Sequence, residues 1–162
     1  ASFRVLDLIA DVLAERLAPL APDVVVAVPT LGLPLAEAVA RRLGHSRLVP
    51  LGYSRKFWYD EALSLPLSSI TTPGGGKRLY VDPHMLPLLK NRRVLVVDDV
   101  LSSGASMRTV LALLDRAGIR PMAVGAAMLQ GERWVEAVPD RVIGAFATPI
   151  LTRGCDGWQA LG

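Results

Sequence analysis

The sequence predicts an α/β domain built on a doubly wound, mostly parallel sheet. Three observations carry that expectation. Five short apolar runs stand at Asp23–Pro29, Arg47–Gly52, Arg93–Asp98, Met122–Leu129 and Arg141–Phe146. Segments with apolar residues at helical spacing lie between several of them. Strands that alternate with helices are joined by crossovers, which makes neighbouring strands parallel. Third, the chain has 162 residues, 51% of them hydrophobic, enough for one domain with a sizeable core.

The elements follow in order. Leu6, Ile9, Ala10, Leu13 and Leu17 recur at helical spacing, and Pro19 and Pro22 close that helix. "DVVVAVP" (Asp23–Pro29) is a continuous β-branched run, the pattern of a strand buried on both faces. In the next helix Ala36, Val39, Ala40 and Leu43 share one face, with Arg41 and Arg42 in the last turn and Gly44 at the exit. The strand Arg93–Asp98 leads into a helix whose face carries Met107, Val110, Leu111 and Leu114, stopped by Gly118. The chain contains no internal repeat and no interdomain linker.

One segment breaks this rhythm. About 40 residues separate Leu51 from Val94, against ~4–6 for an ordinary connection. "KRLYVD" places Leu79 and Val81 on one side and Arg78, Tyr80 and Asp82 on the other, and "LSLPLSSI" alternates too. The pair reads as a two-stranded arm with a Gly74-Gly75-Gly76 tip. Long loops of this kind are either surface hairpins or lids.

Composition narrows the function. The net charge of +3 with no run of five like charges argues against a nucleic-acid surface. The basic residues cluster instead at Arg55-Lys56, Lys77-Arg78, Lys90 and Arg92-Arg93, a segment suited to a polyanion if it is not simply solvated surface. The apolar stretch from Val24 to Glu37 contains Pro29 and Pro34 and is too short for a membrane span. No N-terminal run has the order of a signal peptide. The single Cys155 permits no internal disulfide and suits a cytoplasmic location. His45 and His84 are isolated, which fits surface positions better than a metal site.

The chemistry concentrates in "VLVVDDVLSSGAS" (Val94–Ser106). A ligand in an open α/β sheet binds beyond the carboxyl ends of the strands, where Asp98 and Asp99 are expected. After them comes a turn of small residues opening a helix. The free amides of a first helical turn and the helix dipole attract an anion, and Ser102, Ser103 and Ser106 add hydroxyl donors. Ionised carboxylates only accept hydrogen bonds, so the acids suit hydroxyls or a cation. A ribose phosphate carries a phosphate and a diol on one molecule. Competing motifs do not fit: the first strand ends in "AVPT" without the acids of a receiver domain, "PTLGLP" is not a dinucleotide fingerprint, and no G-x-x-x-x-G-K-[ST] occurs.

The same stretch resembles the phosphoribosyl-pyrophosphate (PRPP) motif of type I phosphoribosyltransferases: four apolar residues, two acids, two apolar residues and a small hydroxyl- and glycine-rich turn. Every position fits. The resemblance implies a single domain over residues 1–162 with a five-stranded parallel core, a flexible β-arm over 53–83 and a small hood from the chain ends. It implies that Asp98 and Asp99 hold the ribose hydroxyls, and that Val100, Leu101, Ser102, Ser103, Gly104, Ala105 and Ser106 hold the 5-phosphate.

Adenine phosphoribosyltransferases are the subfamily most similar in look. "GYSRKFWYD" resembles their Arg-Lys segment, and "KRLYVDP…LLKNRRVLVVDD" their run from the arm into the motif. "PTLGLPLAEAVA" stands where they have a pyrophosphate loop, which points to Pro29, Thr30, Leu31 and Gly32. The loop arginine of that subfamily is absent. "SITTPGGG" supplies no acid where the arm glutamate stands, although Asp60 and Glu61 lie earlier.

The implied reaction is displacement of pyrophosphate from PRPP by a ring nitrogen of a base, with a purine expected and Mg²⁺ bound mainly through PRPP. Arg55 and Lys56 are the candidates for pyrophosphate contacts, with Lys77 or Arg78 closing from the arm. Phe3, Phe146, Ile150 and Trp158 are apolar candidates for base stacking or core packing; Arg153 and Asp156 are candidates for its edge. A homodimer is expected from the mean hydropathy of +0.37 and the resemblance. The alternative function is a PRPP- or nucleotide-sensing protein with little catalysis. Neither reading involves nucleic acid or membrane partners.

Overall fold

The computed structural model describes residues 2–67, 77–138, 141–154 and 157–160. Helix α1 (Phe3–Leu17) begins at Ser2, whose hydroxyl accepts from Val5 N at 3.4 Å, and ends in a 3₁₀ turn that contains Pro19. Its buried side is Ala10, Leu13, Ala14 and Leu17, as the spacing predicts. Strand β1 (Val24–Ala27) is buried at all four positions. Next come α2 (Gly32–Arg42) and the short β2 (Val49–Pro50). The arm contributes β3 (Ser64–Pro66) and β4 (Arg78–Tyr80), and α3 (Leu86–Leu89) leads out of it. The remainder is β5 (Val94–Leu101), α4 (Ala105–Arg116), β6 (Ala123–Gln130), α5 (Trp134–Ala137), β7 (Val142–Thr148) and a hairpin of β8 (Leu151–Gly154) and β9 (Gly157–Ala160).

The main sheet has five strands in the order β2-β1-β5-β6-β7, all parallel. From β1 the chain winds outward to β2; from β5 it winds the other way to β6 and β7. The strand order therefore reverses between β1 and β5, and a crevice opens beyond their carboxyl ends. One face of the sheet packs α1 and α2 against Val25, Ala27, Leu95, Val97 and Ala145. The other packs Met107, Val110, Leu113 and Leu114 of α4, with Leu79 and Val81 of the arm, against Val24, Val26, Val94 and Val96. Val25, Val26 and Leu95 are fully buried. Each such side chain contributes ~1.5–3 kcal/mol, so the strand ends that carry the crevice are firmly held.

Three differences from the sequence expectations have physical causes. The expected strand end at Asp98 is wrong by three residues, because β5 continues to Leu101, with Asp98 opposite Ala126 and Leu101 opposite Leu129. Its long partner β6 sustains the ladder past the acids. The arm strands pair antiparallel, Ser64 with Tyr80 and Pro66 with Arg78, but the expected inside and outside are mixed. Tyr80 is 6% exposed and Ser64 is fully buried. The Tyr80 ring rests on Tyr59, and Ser64 Oγ takes hydrogen bonds from Arg78 at 2.7 and 3.3 Å. The Gly74-Gly75-Gly76 tip lies outside the described residues. Third, α1 is a layer of the core, tied to β7 by Arg16 Nη1 donating to Gly144 O at 2.6 Å. Of the two chain ends expected in a hood, the N-terminal one therefore packs on the sheet.

Candidate active site

The crevice beyond β1 and β5 contains two adjoining cavities. One, of about 390 Å³, is lined by Leu31, Asp98, Asp99, Val100, Leu101 and the turn from Ser102 to Met107. The other, of about 240 Å³, is lined by Val28, Pro29, Thr30, Tyr53, Leu67, Lys77, Leu79, Asp98, Asp99, Val100 and Ser106. Asp98, Asp99, Val100 and Ser106 belong to both, so the acid pair stands between the small-residue turn that opens α4 on one side and the β1 loop and arm on the other.

The two acids differ in setting. Asp98 is only 7% exposed, whereas Asp99 is half-buried. Asp98 Oδ1 accepts from Asp99 N at 2.8 Å. Burial, reinforced by the neighbouring Asp99 carboxyl, pushes the Asp98 carboxyl up to about 8. Gly32 is what lets Asp98 sit this close to α2: a Cβ there would meet Asp98 Oδ1 at 2.8 Å and Asp98 Cα at 3.1 Å.

The turn after the acids ends at Gly104, in the left-handed region at φ +75°. A Cβ at Gly104 would also meet Ala137 Cβ at 2.5 Å and Trp134 Cα at 3.2 Å. This glycine thus lets α5 pack behind the turn. Ser103 Oγ accepts from Ala105 N at 3.3 Å and shapes the start of α4. Ser102 and Ser106 line the cavity, and among the described residues their hydroxyls have no protein partner. The amides of Ser106 and Met107 are in the first turn of α4, where helices leave donors free.

The cations are arranged differently. Lys77 lines the second cavity, with its Nζ 5.6 Å from the centroid of the Tyr53 ring. Arg78, on the opposite side of β4, faces Ser64 and stands 3.8 Å from Glu61. Between Lys77 and Arg78, then, Lys77 is the one presented to the crevice. Arg55 is more than half exposed and pairs with Glu61 at 2.9 Å, and Lys56 is exposed. Neither lines the two cavities, so Arg55 and Lys56, the candidates for pyrophosphate contacts, stand outside them. In the β1 loop Pro29 and Thr30 line one cavity and Leu31 the other, while Gly32 supports Asp98 from behind.

Tyr53 escaped the sequence analysis. Its phenol donates to Pro29 O at 2.6 Å, and burial together with Asp98 and Asp99 pushes its pKa up, so that it is harder to ionise. Its position directly after the second strand was the available signal. A third cavity, of about 770 Å³, opens at the ends of β6 and β7 and is lined by Gly131, Glu132, Arg133, Ala147, Thr148, Pro149 and Ile150. Thr148 Oγ1 is buried there and has no partner among the described residues. Of the stacking candidates, Ile150 reaches this cavity, while Phe3, Phe146 and Trp158 are 83%, 43% and 70% exposed and do not pack in the core. Arg153 pairs in register with Trp158 on the hairpin, and Asp156 lies outside the described residues.

Comparison with known proteins fits this geometry. Residues 2–142 match the family model of the phosphoribosyl transferase domain. The chain is 35% identical over 109 residues to a hypoxanthine/guanine phosphoribosyltransferase of Methanosalsum zhilinae, covering 67% of this chain and 53% of that one. It is 34% identical over 128 residues to an orotate phosphoribosyltransferase of Halorhodospira halophila, covering 75% and 52%. The chain thus spans about half the length of the curated relatives it matches. Among solved structures, an adenine phosphoribosyltransferase of Giardia lamblia complexed with 9-deazaadenine superposes with a TM-score of 0.73 at 19% identity, over 88% of this chain and 79% of that one. A purine phosphoribosyltransferase of Pyrococcus horikoshii gives a TM-score of 0.59 at 22% identity, over 91% and 85%.

Proposed function

The chain belongs to the phosphoribosyl transferase domain family, and on that premise we propose that it transfers the 5-phosphoribosyl group of PRPP to a nitrogenous base, a purine, with release of pyrophosphate. One observation carries the reading: a pair of carboxylates and a helix-opening anion turn wall the same cavity. The 5-phosphate takes the turn from Val100 to Ser106, and the 2- and 3-hydroxyls donate to Asp98 and Asp99. Pyrophosphate then lies towards Pro29, Thr30 and Lys77, in the adjoining cavity.

As the bond to pyrophosphate lengthens, positive charge develops on the ribose and negative charge on the leaving group. The acids stabilise the former, and the Lys77 ammonium and α4 amides hold the phosphates at either end. Two carboxylates suit a magnesium ion that takes most of its oxygens from PRPP, and among the described residues no cluster of three metal-binding side chains exists. Bound there, Mg²⁺ would offset the charge of the departing pyrophosphate. The base is assigned to the cavity at the ends of β6 and β7. Neighbouring strands are ~4.8 Å apart, so that cavity lies beside the crevice; the unpartnered Thr148 hydroxyl and the apolar Ile150 support the assignment.

A homodimer belongs to the same proposal, supported by the exposed Val5, Leu8 and Val12 along α1. So does a cytoplasmic location, supported by the single cysteine. No helix among the described residues is long and apolar enough to cross a membrane.

The test is to supply PRPP, Mg²⁺ and a panel of purine and pyrimidine bases and follow pyrophosphate release. Release with one purine is expected, and its loss in Asp98→Asn/Asp99→Asn together with PRPP affinity. PRPP binding without release for any base would favour the PRPP-sensing reading. Unchanged PRPP affinity in the double variant would overturn the ribose assignment.

A further inference from the structure

Beyond its last ladder bonds the β1 loop has, among the described residues, little backbone support besides Leu33 N donating to Thr30 O at 3.4 Å. Val28 N donates to Val97 O at 3.0 Å and Leu51 N to Ala27 O at 3.0 Å; after these rungs the chain turns through Pro29, Thr30 and Leu31 into α2. Tyr53 follows Leu51 by two residues, so β2 fixes its backbone beside that loop. Its phenol reaches the Pro29 carbonyl at 2.6 Å, and its ring lies below the Lys77 ammonium at 5.6 Å. The loop, the ring and the ammonium all face the cavity that also holds Asp98 and Asp99.

We propose that Tyr53 is a positioning residue for the pyrophosphate end of the site, holding the Pro29–Thr30 loop through its hydroxyl and keeping Lys77 off the acid pair through its ring. The proposal rests on the function proposed above. Among the described residues Lys77 is the cation that lines this cavity, and two carboxylates line the same walls. Among the described residues it makes no ion pair with either. An ammonium drawn onto Asp98 or Asp99 would occupy the oxygens needed by the diol. The ring offers a weaker seat, a cation–π contact of ~0.5–2 kcal/mol. A polyphosphate forms stronger charge-assisted bonds and draws the ammonium off that seat. The phenol has a separate task. A loop fixed before binding has less freedom to lose when the ligand arrives. Burial and the two acids also keep the phenol protonated, so its donor persists through the neutral range.

The two tasks separate by substitution. Tyr53→Phe removes the hydrogen bond and leaves the ring; Tyr53→Leu removes both. Affinities for PRPP with Mg²⁺, for inorganic pyrophosphate and for ribose 5-phosphate would be measured by calorimetry on the full chain, with Tm recorded. Loss of one buried hydrogen bond predicts on the order of 3–10-fold weaker binding of PRPP and pyrophosphate in Tyr53→Phe. Ribose 5-phosphate, which does not use that end, should stay within about twofold. Tyr53→Leu should additionally weaken ribose 5-phosphate as Lys77 settles on the acids, and Lys77→Met in that background should restore it. Equal losses for all three ligands in Tyr53→Phe would mean a merely structural role and overturn the proposal. So would unchanged PRPP and pyrophosphate affinities, or no restoration by Lys77→Met. Unsubstituted protein that binds no PRPP would overturn the functional reading and this inference together.

Discussion

The corner between β5 and α4 and the arm between β2 and β5 supply the same crevice by opposite means. At the corner every functional group is set by the backbone and by close packing. Asp98 is pressed against Gly32, and Gly104 admits α5 behind the anion turn. In the arm the charges ride on long side chains. Arg55 and Arg78 share Glu61, and Lys77 rests on a tyrosine ring. On the proposed function, the sugar-phosphate end is built before the ligand arrives, whereas the pyrophosphate end is to be completed by side chains that change partners. Substitutions should be severe and structural at the corner, and graded and electrostatic in the arm.

The largest effects should come from adding one methyl group at the corner. Gly104→Ala places a Cβ at φ +75°, 2.5 Å from Ala137 Cβ. Overpacking of this kind costs ~1–3 kcal/mol, and the left-handed backbone adds ~1–2 kcal/mol. Gly32→Ala drives a methyl onto Asp98 at 2.8 Å. Both variants should show a lower Tm and at least roughly tenfold weaker PRPP binding, since a loss of ~1.4 kcal/mol is already tenfold. If either alanine leaves PRPP affinity unchanged, the corner is more pliable than its packing implies and the contrast fails.

Intermediate effects should separate the arm cations from each other. Lys77→Ala removes a charged donor from the cavity wall and should weaken PRPP by roughly 10–100-fold, from ~1.5–3 kcal/mol for a hydrogen bond to a charged group. Arg55→Ala breaks an exposed pair worth ~0–1 kcal/mol and should weaken PRPP less than about fivefold. Titration calorimetry at two salt concentrations would compare them. A larger loss for Arg55 would mean that the guanidinium leaves Glu61 for the ligand, and the sequence-based assignment would be reinstated over the geometry.

The same contrast explains what could be read from the sequence. The five strands, the two long helices after β1 and β5, and the acid-pair turn are written in contiguous residues, so period and motif find them. The partners of the arm cations are not contiguous. Nothing local tells that Arg55 meets Glu61, that Arg78 turns to a buried Ser64, or that Lys77 alone of the pair faces the acids. Tyr53 was missed because its meaning depends on Pro29, which only the parallel pairing of β1 and β2 brings alongside. The close approach behind Asp98 was hidden for the same reason: Gly32 reads as part of a loop pattern, and its contact lies across the sheet.

The last effect concerns stability alone, and its sign is opposite to the effect on binding. Burial beside Asp99 pushes the Asp98 carboxyl up to about 8, from an ordinary 3.8. The folded protein then binds the proton more tightly than the unfolded chain. Its stabilising contribution is complete below pH ~4 and is lost progressively as pH rises through about 8. Asp98→Asn keeps the shape without the charge and escapes that loss. Its Tm should match the unsubstituted protein near pH 4 and exceed it by pH 8, the gap growing between those limits. A rise of one in a pKa corresponds to ~1.4 kcal/mol, and ~1 kcal/mol moves Tm by roughly 2–4 °C in a domain of this size. A gap of at least about 2 °C at pH 8 is therefore expected, in a protein that no longer binds PRPP. Thermal unfolding from pH 4 to 9, without ligand, measures it. A flat difference across that range would mean that Asp98 is hydrated in solution, and the corner would lose the buried acid that most distinguishes it from the arm.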